Sequence, residues 1–196
     1  MQLVANQLYH VYNQGNNHEQ LFYTSENYLY FLRLFRKFVL PKCDVLCYCL
    51  MPNHFHFLIN VTEKSAEIVK IGNNEMSQLA KGFRQLLSSY SQAINRQESR
   101  TGSLFRQKTK AKNLENSDVN YPLQCFHYIH QNPIKANLVH ELESWEFSSF
   151  RDYAKIRAGT LCHQFLTYQL LELDAEKFVA NSYAFISPET IKQFYE

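Results

Sequence analysis

The chain has 196 residues, 45% of them hydrophobic and 15% aromatic, enough for one well-buried domain with at most a small appendage. Its formal net charge of +2 says little about partners, so any nucleic-acid surface has to come from local clusters of base. No stretch reaches the roughly 18 consecutive apolar residues of a membrane span, and the opening MQLVANQLYHVYN has neither a basic n-region nor an apolar signal core, so a cytoplasmic protein with no membrane partner is expected.

Leu8 to Tyr12 alternate as a strand does, and Asn13-Gln14-Gly15-Asn16-Asn17 follows as a loop. Ser25, as N-cap, and Glu26 open a helix whose apolar positions Tyr28, Phe31, Leu32, Phe35, Phe38 and Val39 recur at helical spacing until Pro41 ends it. Val45 to Leu50 and His54 to Val61 form a hairpin about the turn Met51-Pro52-Asn53. After a polar link, Met76, Leu79, Ala80, Phe83, Leu87, Tyr90 and Ile94 mark a second long amphipathic helix that fades into Arg96 to Arg100, with Gly102 as its stop. Asp118 is placed to cap a third helix, which Pro133 is expected to end at Asn132. From about Thr160 the tail suggests one or two short helices. Cys43, Cys47, Cys49, Cys125 and Cys162 are odd in number and form no C-x-x-C pair, which favours buried thiols over disulfides or a zinc ribbon.

Three groups of residues carry chemistry. His54 and His56, two apart in a strand, project from one face while Phe55 and Phe57 enter the core from the other. Alone, that spacing fits two unrelated histidines as well as half a metal site. Gln124, Tyr128 and Asn132, at i, i+4 and i+8, share one helical face. If that helix lies beside the histidine strand, His54, His56 and the Asn132 amide, with Gln124 or Gln131 as substitutes, suit a divalent ion such as Mg²⁺ or Mn²⁺. Tyr128 then has a use: covalent attack on a phosphodiester splits one transfer into two steps. Finally, Arg106, Lys108, Lys110 and Lys112 fall at alternate positions, so a strand there puts four cations on one face, near Arg96 and Arg100. A stripe of this kind tracks phosphates or, more simply, guards an edge strand.

His54-Phe55-His56 resembles the HUH motif (His, bulky hydrophobic, His) of the single-tyrosine transposases, a superfamily that includes insertion-sequence and REP-associated tyrosine transposases. The likeness extends, in the family's order, through Tyr9-His10-Val11-Tyr12-Asn13-Gln14-Gly15-Asn16-Asn17, Leu50-Met51-Pro52-Asn53-His54-Phe55-His56, Gly102-Ser103-Leu104-Phe105, Tyr128-Ile129-His130-Gln131-Asn132-Pro133-Ile134-Lys135-Ala136-Asn137-Leu138-Val139 and Trp145-Glu146-Phe147-Ser148-Ser149-Phe150. It implies an α+β fold: a ferredoxin-like (RRM-like) antiparallel sheet with helices packed on one face, here followed by a short helical C-terminal tail. It implies a transposase domain over residues 1–155 and a C-terminal extension over 156–196. By the same likeness His54 and His56 are metal ligands, Asn132 completes the site, and Tyr128 is the nucleophile. The implied reaction is metal-dependent cleavage of single-stranded DNA beside a hairpin, leaving a 5′-phosphotyrosine and a free 3′-OH, followed by strand transfer. Arg96, Arg100, Arg106, Lys108, Lys110 and Lys112, from their own clustering, are the expected DNA contacts, and a homodimer with composite sites is among the family's arrangements. Two positions depart from the pattern: Gln14 stands where the family often has arginine, and Asn137 where it often has glycine. The competing readings are a non-catalytic RRM-like module that binds single-stranded nucleic acid and an unrelated metal hydrolase.

Overall fold

In the computed structural model, which describes residues 3–115 and 120–195, a four-stranded antiparallel sheet has the order β2-β3-β1-β6, from β1 (Leu8–Gln14), β2 (Asp44–Met51), β3 (His54–Asn60) and β6 (Lys110–Asn113). Helix α1 (Ser25–Phe38) joins β1 to β2, and α3 (Gln78–Gln97) stands between β3 and β6. The order strand, helix, strand, strand, helix, strand is that of a ferredoxin-like sheet, and the α+β expectation holds.

Register decides which side chains meet, because residues paired across antiparallel strands share a face. Tyr12 pairs with His56, Gln14 with His54, His10 with Leu58 and Cys49 with His56, so the histidines sit on one face. On the other face Phe57 stacks on Phe35 of α1 at 4.1 Å, and Phe55 lies 5.3 Å from Phe31 and 6.4 Å from Phe83 of α3. Each such fully buried ring contributes about 1.5–3 kcal/mol over its exposed state. The expected one-sided helix layer is therefore α1 and α3. A further helix, α4 (Tyr121–Lys135), covers the histidine face, where the Phe126 carbonyl accepts from Cys47 Sγ at 3.9 Å. All five cysteines are buried and unpaired.

Four expectations are corrected or extended. Thr24, not Ser25, is the N-cap of α1, where Asn27 Oδ1 accepts from Thr24 N at 3.2 Å. The polar link holds a hairpin, β4 (Ile68–Ile71) and β5 (Asn74–Ser77), turning at Gly72 with φ +60°, and a short helix, α2 (Glu63–Ala66), precedes it. The segment 103–109 is not a strand. Leu104 and Phe105 turn into the core, and its polar groups bond to the end of β1, with Arg106 N donating to Gln14 O and Asn13 Nδ2 to Arg106 O. Alternation on one strand face thus holds only for Lys110 and Lys112. Asp118 lies outside the described residues.

The fourth correction concerns Pro133, which does not end α4: the helix runs on to Lys135. A helical proline leaves the carbonyl four residues back without its donor. Here that carbonyl belongs to Ile129, and Asn132 Nδ2 donates to it at 3.3 Å while also donating to Tyr128 O at 3.0 Å. Asn137 then closes the helix at φ 54°, with its N–H on Ile134 O and Leu138 N on Pro133 O, both 2.9 Å. Asparagine tolerates this left-handed position, where glycine is the usual residue.

After α5 (Phe150–Tyr153), the tail from Thr160 forms three short helices rather than one or two: α6 (Gln164–Leu170), α7 (Phe178–Ser182) and α8 (Pro188–Gln193). It is bound to the sheet: His163 N donates to Val45 O at 2.8 Å, and Phe178 packs on Phe150 at 5.1 Å and Tyr153 at 5.6 Å. Among the described residues no helix is long and apolar enough to cross a membrane.

Candidate active site

β1 and β3 present His10, Tyr12, His54 and His56 on one face, and α4 lowers Tyr128 and Asn132 onto it. The His54 and His56 rings are 4.9 Å apart, and the Tyr128 ring is 6.1 Å from His56. Asn132 lies close enough to both rings to bear on their ionisation, raising His54 and lowering Tyr128 against the effect of burial. Its amide nitrogen is held by the Tyr128 and Ile129 carbonyls, so Oδ1 is the atom it has left to offer a ligand. All four predicted residues converge within one chain. Of the two substitutes, Gln124 is exposed and Gln131 is turned away, donating to Ser182 O and Ala184 O at 3.0 and 2.8 Å.

Three participants were not foreseen. His10, fully buried, places Nε2 at 2.8 Å from His56 Nδ1 and Nδ1 at 3.2 Å from the Phe194 carbonyl. The tail enters the site through Phe194 and Tyr195. Phe194 is fully buried, 4.9 Å from the Tyr121 ring and 5.2 Å from the Tyr128 ring. The Tyr195 hydroxyl is hydrogen-bonded to that of Tyr128, and its carbonyl accepts from Tyr12 Oη at 3.1 Å. Tyr195 joins Gln14, His18, Asn53, His54 and His56 around a cavity of about 270 Å³. His10 carried a faint signal, two residues from Tyr12 on the same strand, but its neighbour depends on inter-strand register. Phe194-Tyr195 carried none.

Burial sets the charge states. It depresses His54 to about 4, against the pull of the nearby Asn132 amide, and holds His56 well below the usual imidazole range, with His54 and His10 adding to the effect. Both are neutral near pH 7, as ligands must be. Burial pushes the Tyr128 phenol up to about 12, although its bond with Tyr195 pulls the other way. A phenol so raised needs help to attack. His54 Nδ1 lies 2.7 Å from Asn53 Oδ1, a bond that leaves its Nε2 lone pair outward, and His56 Nε2 is buried with no partner. Among the described residues no three histidine, cysteine or carboxylate side chains form a cation cage. Two imidazoles and an amide oxygen are what the chain offers, a partial set of the kind that leaves positions for water and substrate.

The predicted cations are scattered around this site. Arg106, Lys108 and Lys110 line a groove of about 850 Å³ together with Arg84 of α3, which spacing had not singled out; Phe105 and Leu87 contribute apolar lining and no carboxylate is present. Lys112 pairs across from His10 on the neighbouring strand. Arg96 is exposed near the end of α3, whereas Arg100 is tied up in an ion pair with Glu19. Gln14, with its amide oxygen turned toward Arg106, accepts from Nε at 2.8 Å. A guanidinium from another part of the chain therefore stands beside Gln14.

Two further buried histidines anchor α4. His130 Nε2 lies 2.8 Å from Ser149 Oγ and His127 Nδ1 3.0 Å from Ser182 Oγ. Burial lowers His127 to about 4 and His130 well below its ordinary value. Between the folded and unfolded values the unfolded chain binds more protons, so this stability is complete above about pH 6.5 and is lost as pH falls toward 4. A loss of Tm of about 5–15 °C between pH 7 and pH 4.5 is expected by calorimetry, from on the order of 1–3 kcal/mol per histidine. A flat Tm over that range would contradict the neutral anchoring.

No family model and no curated protein sequence matches the chain. Among solved structures its fold is similar to that of a REP-associated tyrosine transposase, itself determined bound to a REP hairpin, with a TM-score of 0.57 over 81% of this chain and 88% of that one. The two are 17% identical, so the likeness speaks for a shared fold.

Proposed function

We propose that the protein is a metal-dependent, HUH-type single-tyrosine endonuclease and strand transferase acting on single-stranded DNA beside a hairpin. The observation that carries this reading is the convergence of Tyr128 and Asn132, from one helix, on the paired imidazoles of His54 and His56. The fold neighbour's hairpin supports the substrate class.

In this reading His54, His56 and the Asn132 oxygen hold Mg²⁺ or Mn²⁺. Such an ion polarises a phosphoryl oxygen and stabilises the charge that develops in displacement. Tyr128 Oη gives up its proton and forms a bond to phosphorus, the bond from phosphorus to the 3′ oxygen breaks, and that oxygen takes up a proton as a free 3′-OH. The Tyr128 ester keeps the 5′ phosphate and returns it to a 3′-OH by the reverse steps. Because α4 and β3 of the same chain supply all the groups, this chemistry needs no second copy. Incubating a labelled single-stranded hairpin with Mn²⁺ tests it. A denaturation-resistant protein–DNA adduct is expected; tight binding with no cleavage in either metal would instead identify a non-catalytic RRM-like module.

The groove between α3 and the basic segment, at the edge of the sheet on its α3 side, is assigned to a DNA strand flanking the cleaved one, since four cations line it without a carboxylate. Lys108→Ala with Lys110→Ala is expected to reduce the slope of log affinity against log salt by about 1.5, at 0.7–0.9 per lost phosphate contact. An unchanged slope would leave these lysines as guards of the edge strand β6.

A further inference from the structure

His10 lies outside the proposed metal site yet touches it. The His10 and His56 rings lie within 22° of one plane with centroids 5.0 Å apart, the geometry of an in-plane N–H···N bond at 2.8 Å. Only one of the two facing nitrogens can bear the hydrogen. The other end of the chain of bonds decides which one. The Phe194 carbonyl can only accept, so the hydrogen at that contact belongs to His10 Nδ1. A neutral imidazole then has a bare Nε2, which makes His56 Nδ1 the donor and places the His56 lone pair on Nε2. That Nε2 is the buried atom without a partner.

We propose that His10 is a positioning residue: it accepts from His56 Nδ1 and so holds His56 in the one tautomer that points a lone pair at the metal, while the Phe194 carbonyl of the tail fixes His10 in turn. The inference rests on the metal reading above and adds to it a relay of three bonded groups, carbonyl to imidazole to imidazole. It also explains why a third histidine on this face is not itself a ligand: its only lone pair is occupied by His56. Groups that orient a ligating histidine through its second nitrogen are worth about 10–100-fold in metal affinity.

The test is Mn²⁺ affinity by calorimetry on the full chain, together with ¹⁵N chemical shifts of His56 in the metal-free protein. His10→Leu, close in volume and without polar atoms, is expected to weaken Mn²⁺ binding by about 10–100-fold. It should also convert His56 from purely Nδ1-protonated to a mixture. His10→Gln has an oxygen to accept from His56 and an amide hydrogen for the Phe194 carbonyl, and is expected to retain near-wild-type affinity and the Nδ1-protonated form. A purely structural role would not separate the two variants. If wild type binds Mn²⁺ and His10→Leu binds it equally well, the relay is wrong and the proposed chemistry stands. If wild type binds no Mn²⁺, both fall. Should His10→Leu fail to fold, a His56 protonated at Nε2 in wild type or His10→Gln still overturns the relay.

Discussion

Tyr128→Phe is expected to leave a single-stranded hairpin uncut and to abolish the covalent adduct, a loss of about 10⁴-fold or more, the scale on which an enzyme loses its nucleophile. Tyr195→Phe is expected to retain both. The comparison is needed because the two phenols are hydrogen-bonded to each other, and either could be taken for the attacking group. One feature favours Tyr128: its helix also carries Asn132, so the proposed nucleophile and a proposed ligand share one rigid element. Its ring is buried, at 5% exposure, against Phe194 and Tyr195, so removing one hydroxyl leaves the packing intact and the variant reports on chemistry rather than folding. A Tyr128→Phe protein that still forms the adduct at the wild-type rate would end the covalent reading through this residue; an adduct lost only in Tyr195→Phe would transfer the role to the tail.

The centre was legible where one periodicity governed it. His54 and His56 follow from strand alternation, and Tyr128 and Asn132 from helical spacing, since each pair belongs to a single element and needs no tertiary information. What alternation could not give is register. His10 meets His56 because β1 pairs with β3 in one particular alignment, and a slip of one residue would turn its ring to the opposite face. Pro133 misled for a different reason. Its rule concerns the backbone alone, and it is the Asn132 side chain that supplies the missing donor to Ile129. The basic segment misled because the alternation from Arg106 to Lys112 outruns the strand, which begins only at Lys110: before it, the chain turns Leu104 and Phe105 inward and bonds to the end of β1. The hairpin at Gly72 was hidden by its brevity: β4 and β5 have four residues each and lie outside the main sheet, and Ile68-Val69-Lys70-Ile71 and Asn74-Glu75-Met76-Ser77 are too short to show a sustained alternation.

Ending the chain at Gln193 is expected to tighten hairpin binding by about 10–100-fold and to raise cleavage at saturating Mn²⁺. The expectation follows from competition for one space. Tyr195 closes the cavity beside His54 and His56 and occupies the hydroxyl of Tyr128, so a phosphate that reaches the nucleophile has to displace it. The displacement is opposed chiefly by Phe194, whose fully buried ring is worth about 1.5–3 kcal/mol, and each 1.4 kcal/mol is tenfold in affinity. The shortened chain also loses the carbonyl that fixes His10, so its Mn²⁺ affinity should fall as its DNA affinity rises. These opposite movements separate occlusion from a general loosening, which would weaken both. Equal hairpin affinity with and without the last residues, in a truncated protein of unchanged Tm, would mean that the DNA strand reaches Tyr128 by a route the tail does not cross.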